Sequence, residues 1–341
     1  MKGVKAPLLV GLVLLLFAFL VRTAGAAWLK QRRRKQHDNE PIRGELTDDP
    51  ALRMTGGEKL HFTTRLIRHG LGSGAGALRE MDTFDGLLLH MQFHDSEGHR
   101  IDGSAVLVAP GIALCATHVV RPYIDALVAG TATGFCMGIA KSGLQIWQLH
   151  QGTPVPDTDL TIISLTYRSS LPDDCTFSQA NLTTRLPRVG EQLTLVGFRA
   201  DSAELEDRTF VARASVLVCV GQVTAQYPKG RDSVMIPWPA LEVDCQAWGG
   251  MSGGPVFDTN GYVVGIVCTS VGDHTVGSPA YVSLLWPAMT QQYQGGWPSQ
   301  SFLGSHSLLA LGRTACPIER PEAIKLTQNE GSVIALYDSW S

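Results

Sequence analysis

Short apolar segments separated by glycine or proline turns run through the chain from Gly86 to Cys268. The 36 glycines and 18 prolines of the 341-residue sequence supply these turns. The pattern recurs in L-L-L-H-M-Q-F (87–93), S-A-V-L-V-A (104–109), L-T-I-I-S-L (160–165), L-T-L-V-G-F (193–198), S-V-L-V-C-V (215–220) and Y-V-V-G-I-V-C (262–268). Segments with this punctuation are typical of strands, so the sequence predicts an all-β sandwich or barrel rather than a wound α/β sheet.

The charge is distributed unevenly along the chain. The net charge is −3, but residues 1–44 carry nine Lys or Arg against two acidic residues, so the rest of the chain is clearly acidic. A nucleic-acid surface needs clustered cations that neutralise phosphates. We therefore expect no nucleic-acid partner for the body of the protein.

The cysteine pattern contains no metal-binding spacing. No two cysteines form a CxxC pair, and an odd number cannot pair completely within one chain. The seven cysteines are Cys115, Cys136, Cys175, Cys219, Cys245, Cys268 and Cys316. We expect neither a metal site nor a cofactor.

The N-terminal segment, residues 1–35, supports two interpretations. After Lys2 and Lys5, residues 6–21 are uncharged and mostly apolar. As a membrane anchor, residues 6–29 at about 1.5 Å per residue would span a bilayer core of about 30 Å. As a signal peptide, the segment has a basic start, an apolar centre and an A-x-A-like site that ends at Ala26.

The flanking charges bear on the orientation of such an anchor. Positive charge on the C-terminal side, including the R-R-R-K cluster at 32–35, exceeds that of Lys2 and Lys5. The positive-inside rule would then keep the body cytoplasmic. The side of the membrane stays open.

Composition divides the rest of the chain into three parts. Residues 36–84 are polar and lack a sustained period, which indicates a linker. Residues 85–290 carry the strand pattern and are predicted to be the folded domain. Residues 291–341 form a C-terminal extension of unknown role, with a candidate strand in S-V-I-A-L-Y-D (332–338).

The sharpest chemical signal is G-G-M-S-G-G-P-V at 249–256. A serine hydroxyl becomes a useful nucleophile when a base takes its proton and backbone N–H groups receive the developing oxyanion. Gly250 lacks a Cβ and can turn its N–H toward the same point as the N–H of Ser252. We therefore predict Ser252 as the nucleophile and Gly250 and Ser252 as the oxyanion hole.

Two further segments supply partners for this serine. The apolar run I-A-L-C-A-T (112–117) ends in His118, which is predicted to be the general base. In D-T-D-L-T-I-I (157–163), Asp159 directly precedes an apolar strand and is predicted to orient His118, with Asp157 as its rival. The order His, Asp, Ser is the chain order of chymotrypsin, not that of subtilisin or the α/β-hydrolases.

These motifs resemble those of the trypsin-like serine protease family, especially its bacterial branch near the high-temperature-requirement proteases and glutamyl endopeptidases. The resemblance covers about residues 85–290 and includes R-V-G-E-Q-L-T-L-V-G-F (188–198) and G-M-S-G-G-P-V-F-D-T-N-G (250–261). It implies two Greek-key β-barrels with the active site in the cleft between them. One departure is Met251, because animal trypsins usually carry an acidic residue there.

The resemblance also implies a substrate pocket. The residue six positions before the serine would form the pocket base, and here it is Gln246. Cys268, Thr269 and Ser270 follow G-I-V and resemble the strand that pairs with substrate and forms a pocket wall. A neutral base does not favour a lysine or arginine side chain in the substrate.

Three functions fit this sequence. The first is a serine endopeptidase that acts on protein or peptide substrates through an acyl-enzyme. The second is a catalytically silent binding module of the same fold, since fold alone does not secure function. The third is an esterase that uses the same three residues.

The membrane interpretation predicts that the full chain partitions with membranes and resists carbonate extraction, whereas deletion of residues 1–36 releases a soluble domain. The reason is the apolar run with basic flanks. Fractionation followed by N-terminal sequencing tests this. A mature N-terminus at Ala27 would instead show that a signal peptide had been cleaved.

Overall fold

The structure, a computed structural model, describes residues 42–54, 59–67, 74–78, 80–96, 98–270, 279–312, 314–329 and 332–337. These residues belong to one compact unit, Ile42–Ser341. Across these ranges, no helix is long and apolar enough to cross a membrane. The predicted anchor or signal segment, residues 1–35, lies outside the described residues.

The described residues are mostly β-strand. The strands are β1 (Ile42–Glu45), β2 (His61–Arg65), β3 (Gly74–Ala77), β4 (Leu88–Asp95), β5 (Gly98–Ala109), β6 (Ile112–Ala116), β7 (Thr133–Ala140), β8 (Gly143–Pro154), β9 (Leu160–Tyr167), β10 (Thr176–Ala180), β11 (Leu182–Thr183), β12 (Gln192–Glu206), β13 (Thr209–Tyr227), β14 (Ala240–Val243), β15 (Pro255–Phe257), β16 (Val263–Ser270), β17 (Ala280–Leu284), β18 (Tyr293–Gln294), β19 (Ser305–His306), β20 (Ile318–Glu319), β21 (Ile324–Asn329) and β22 (Ser332–Tyr337).

The helices are short. The α-helices are α1 (Thr117–Val120), α2 (Ile124–Val128) and α3 (Leu308–Leu311), and short 3-10 helices occur at Pro50–Arg53, Met81–Phe84, Arg121–Tyr123, Trp286–Ala288, Ser299–Ser301 and Pro321–Ala323.

Six strands close the first barrel in the order β4-β5-β6-β9-β8-β7, with β7 pairing back onto β4. Strands β4, β5 and β6 follow one another antiparallel, and β7 returns to lie beside β4. Three consecutive strands with a fourth beside the first define a Greek key. The prediction of a Greek-key barrel is confirmed for this half of the fold.

The second barrel repeats this order with β12-β13-β14-β17-β16-β15, and β15 pairs with both β12 and β16. It therefore closes in the same Greek-key order as the first. Each barrel is continuous in sequence, one within 88–167 and the other within 192–284. The all-β prediction with two barrels is correct.

The sequence of strand β5 does not alternate between apolar and polar residues. Ala105 and Leu107 pack inside the first barrel, whereas Val106 and Val108 pack in a cluster that includes Phe198 and Val216 of the second barrel. Successive side chains of a strand point to opposite faces, so both faces of β5 are buried. The continuous apolar run is the direct result.

Residues 36–84, which the sequence indicates as a linker, contribute strands to the fold. Strands β1 and β3 both pair with β13, and β2 pairs in parallel with β10. The linker interpretation is therefore wrong for the described part of this segment. Short edge strands gain main-chain hydrogen bonds without burying a full apolar face, so their sequences carry little apolar period.

The C-terminal extension also packs against the barrels, and the candidate strand within 332–338 is β22. Trp297 is fully buried among first-barrel side chains. Its ring packs edge-on against Trp147 and Phe177, and its Nε1–H donates to Asp49 at 2.7 Å. This one side chain joins the C-terminal extension, the first barrel and the segment before it.

Trp297→Ala should destabilise the protein by about 3–5 kcal/mol, because it removes a buried ring and leaves a cavity. Trp297→Phe keeps most of the ring and should cost less, since the main loss is the hydrogen bond to Asp49. Urea denaturation of the two variants and the wild type measures both values. Equal stability of all three proteins would show that this packing is unimportant.

Candidate active site

The pairing of β6 with β9 places His118 beside Asp159. Strand β6 ends at Ala116, which lies opposite Leu160, the first residue of β9. The chain then turns into α1, and the N–H of Thr117 donates to the carbonyl of Asp159 at 3.0 Å. His118 therefore follows one strand and Asp159 precedes its neighbour, at the same edge of the barrel.

His118 and Asp159 are joined by two hydrogen bonds. The imidazole Nδ1 lies 2.7 Å from Oδ2 of Asp159, and the main-chain N–H of His118 donates to Oδ1 at 2.9 Å. The histidine side chain is 46% exposed, whereas the aspartate side chain is only 6% exposed. A buried carboxylate on Nδ1 fixes the ring orientation and leaves Nε2 as the nitrogen that can take up a proton.

Cys268 provides a third donor to the same carboxylate. Its Sγ lies 2.9 Å from Oδ2 of Asp159, and the residue is buried in β16. Burial first, and then the nearby Asp159 charge, raise the pKa of the Cys268 thiol well above its usual value. The thiol therefore stays protonated and donates to the carboxylate.

Ser252 lies close to this group. Its hydroxyl donates to the main-chain carbonyl of Cys268 at 3.2 Å, and among the described contacts it makes no hydrogen bond to His118. Catalytic hydrogen bonds are often long or misaligned without substrate. Rotation about the Ser252 Cα–Cβ bond would redirect the hydroxyl without moving the backbone.

The segment 248–254, named the oxyanion loop below, begins with a tight turn. The N–H of Met251 donates to the carbonyl of Trp248 at 3.1 Å, and Gly250, the third residue of the turn, has a φ of +91°. A positive φ at this position is the mark of a type II turn and favours glycine. Among the described residues, no acceptor bonds the N–H groups of Gly250 and Ser252, so both are free to bind an anion.

Both barrels hold the rest of the oxyanion loop. In the second barrel, the N–H of Gly253 donates to Val267 at 2.8 Å. In the first barrel, the N–H of Ser104 donates to the carbonyl of Ser252 at 2.8 Å. Gly253 has a φ of +85°, and a Cβ there would collide with the carbonyl of Ser104. The loop thus lies between the two barrels.

The sequence reasoning missed Ser104. The residue is fully buried, and its hydroxyl contacts the main chain of both Phe198 and Gly250. A signal was available, because Ser104 is the one polar residue in the run S-A-V-L-V-A. A lone polar side chain in a strand buried on both faces needs a hydrogen-bond partner.

The predicted pocket residues have different surroundings. Gln246 is half-buried and follows β14, and Ser270 is the last residue of β16, opposite Ala280. The thiol of Cys268 faces Asp159. Cys268 would therefore contribute to a substrate pocket through its main chain alone. The pocket assignment of all three stays a prediction.

Asp157 does not reach His118. It is exposed in the turn before β9 and has a φ of +55°. Asp159, two residues later, is buried and carries the contacts described above. Of the two candidate carboxylates, the structure therefore brings only Asp159 to the histidine.

Comparison with known proteins places these elements in a family context. Residues 103–266 match the family model described as "Trypsin-like peptidase domain". This range includes His118, Asp159 and Ser252. A comparison with curated protein sequences gives no significant match.

Solved structures give weaker likenesses. The active form of the Rv3671c protease from M. tuberculosis has a TM-score of 0.43 and 12% identity, over 59% of this chain and 77% of that one. Deg5 has a TM-score of 0.41 and 16% identity, over 59% and 84%. The MamO protease domain from Magnetospirillum magneticum has a TM-score of 0.38 and 15% identity, over 59% and 93%.

Asp159→Asn should slow the reaction of Ser252 with a fluorophosphonate probe by about 10⁴-fold near neutral pH, because an amide favours the wrong histidine tautomer. Asp157→Asn is the matched control and should change the labelling rate little, since Asp157 is exposed. The measurement is the rate of covalent labelling in purified variants whose folding is checked by circular dichroism. A large loss confined to Asp157→Asn would show that the other carboxylate orients the histidine.

Proposed function

We propose that the protein is a serine endopeptidase of the trypsin-like type, because residues 103–266 match the model of the trypsin-like peptidase domain. It hydrolyses peptide bonds through Ser252, His118 and Asp159. The observation that carries the proposal is the buried Asp159 carboxylate, 2.7 Å from Nδ1 of a half-exposed His118. This arrangement prepares an imidazole to accept a proton from a nearby hydroxyl.

In the first chemical step, Nε2 of His118 accepts the proton of the Ser252 hydroxyl as Oγ attacks the carbonyl carbon of the substrate. The imidazolium that forms is stabilised by the carboxylate of Asp159. The carbonyl π electrons move onto oxygen, and the N–H groups of Gly250 and Ser252 donate to the resulting oxyanion.

The tetrahedral intermediate then collapses and the peptide C–N bond breaks. His118 returns its proton to the leaving amine, and the acyl group stays on Oγ of Ser252. Water attacks the acyl-enzyme by the same route, with His118 as base, and releases the carboxylate product. No metal or cofactor is required by this scheme.

Cys268 stabilises the position of the Asp159 carboxylate. Its thiol donates to Oδ2 of Asp159, so this oxygen has two donors, and the main-chain N–H of His118 occupies Oδ1. Donors on both oxygens satisfy the hydrogen-bonding capacity of the carboxylate in its buried position. A charged Asp159 is the form needed to stabilise the imidazolium.

Substrate selectivity is proposed to depend on Gln246. Its side chain is neutral, and a lysine or arginine of the substrate would need a buried carboxylate for charge pairing. We therefore propose that the substrate residue before the scissile bond is uncharged or polar rather than basic.

A catalytically silent module is the competing function. The observation that favours it is the hydrogen bond from Ser252 to the carbonyl of Cys268 instead of to His118. The two functions differ in the reactivity of Ser252. An esterase would share that reactivity and differ only in its substrate.

The endopeptidase proposal predicts that a fluorophosphonate probe labels the wild-type protein at Ser252 and that the protein cleaves peptides. Ser252→Ala should abolish both, and His118→Ala should lower turnover by several orders of magnitude. His150→Ala, at an exposed histidine on β8, is the control and should leave turnover unchanged. An unlabelled wild type would indicate the silent module, and labelling with cleavage of esters alone would indicate the esterase.

A further inference from the structure

Ser104 links the first barrel to the oxyanion loop through its side chain. We propose that its hydroxyl is a positioning group that holds the loop in the form able to bind an oxyanion. This inference rests on the proposed function and assigns a role to a residue outside the three that carry the chemistry.

The hydroxyl has one fixed orientation. It accepts a hydrogen bond from the main-chain N–H of Phe198 at 2.8 Å and lies 2.7 Å from the carbonyl oxygen of Gly250. A hydroxyl carries one proton. Because the Phe198 N–H already uses a lone pair, the proton is directed to the Gly250 carbonyl.

This carbonyl belongs to the peptide between Gly250 and Met251. The N–H on the other side of the same peptide donates to Trp248 at 3.1 Å. Both polar groups of the peptide are thus bonded, one to the first barrel and the other within the turn. The peptide plane that follows Gly250 is therefore fixed while Gly250 holds a φ of +91°.

The direction of the Gly250 N–H depends on that φ. Glycine adopts negative φ about as readily as positive φ. Types I and II differ in the orientation of the central peptide, so a change of φ at Gly250 would turn its N–H away. Glycine makes the required conformation available, and the Ser104 hydroxyl holds in place the peptide into which this conformation leads.

The side-chain contact is separable from the other contacts of Ser104. Its main-chain N–H donates to the carbonyl of Ser252, and its carbonyl lies against Gly253. Both contacts remain when the side chain is shortened to a methyl group. Ser104→Ala therefore removes the hydroxyl alone, and the Gly250 carbonyl and the Phe198 N–H lose this partner beside a side chain that is itself fully buried.

The matched control is Ser169. Its hydroxyl also accepts from a main-chain N–H, that of Ile146 at 2.8 Å, and contacts a carbonyl, that of Leu144 at 3.4 Å. Ser169 is buried, and both of its partners lie on β8 of the first barrel. Ser169→Ala thus repeats the loss of a buried bridging hydroxyl without touching the oxyanion loop.

The experiment compares Ser104→Ala, Ser169→Ala and wild type in the full chain. We expect Ser104→Ala to lower kcat for a peptide substrate by about 10²-fold with little change in KM, the size of effect seen when one oxyanion donor is lost. Binding of a peptide aldehyde, whose adduct places an oxyanion in the same hole, should weaken in parallel. Ser169→Ala should change neither value, although it loses stability of similar size.

A kcat of Ser104→Ala that equals that of Ser169→Ala would overturn the inference, as would a rise in KM at unchanged kcat. If Ser104→Ala does not fold, Ser104→Cys keeps a weaker donor of similar size, and unchanged kcat in that variant would overturn the inference as well. A wild-type protein that neither labels nor hydrolyses would overturn the proposed function and this inference together.

Discussion

Main-chain and side-chain contacts of Ser104 join two barrels that are each closed within themselves. The N–H of Ser104 bonds the carbonyl of Ser252, and its hydroxyl bonds the carbonyl of Gly250. The histidine and aspartate belong to one barrel and the serine to the other, so no single barrel contains the site. The relative position of the barrels, set partly through this one residue, therefore determines whether Ser252 and His118 meet.

The buried carboxylate is the second constraint. Asp159 holds a negative charge in an almost inaccessible position, and three donors surround it: the N–H and Nδ1 of His118 and the thiol of Cys268. A buried polar group that loses one of its hydrogen-bond donors is left partly unsatisfied, which is costly. The same contacts that stabilise the charge also fix the imidazole, so the stability of this corner and its chemistry depend on the same atoms.

Much of the fold and of the site was predictable from sequence because it depends on local patterns. Each of these patterns can be read from a few consecutive residues: the apolar runs of both barrels, the position of His118 at a strand end and the position of Ser252 among glycines. Ser104 and Cys268 were harder, since their partners are distant: the contact between Ser104 and Gly250 spans 146 residues. The edge strands β1 to β3 were missed for another reason, because main-chain pairing leaves little trace in side-chain pattern.

The position of Trp297 in the sequence bears on how the protein is made. A ribosome releases residues 88–167 first, then 192–284, and only afterwards the tryptophan that fills the first barrel against Trp147 and Phe177. Domains generally fold as they emerge, N-terminal part first. The core of the first barrel is therefore complete only after the second barrel has been synthesised. A translation product truncated before Trp297 lacks a buried side chain of the barrel that carries His118.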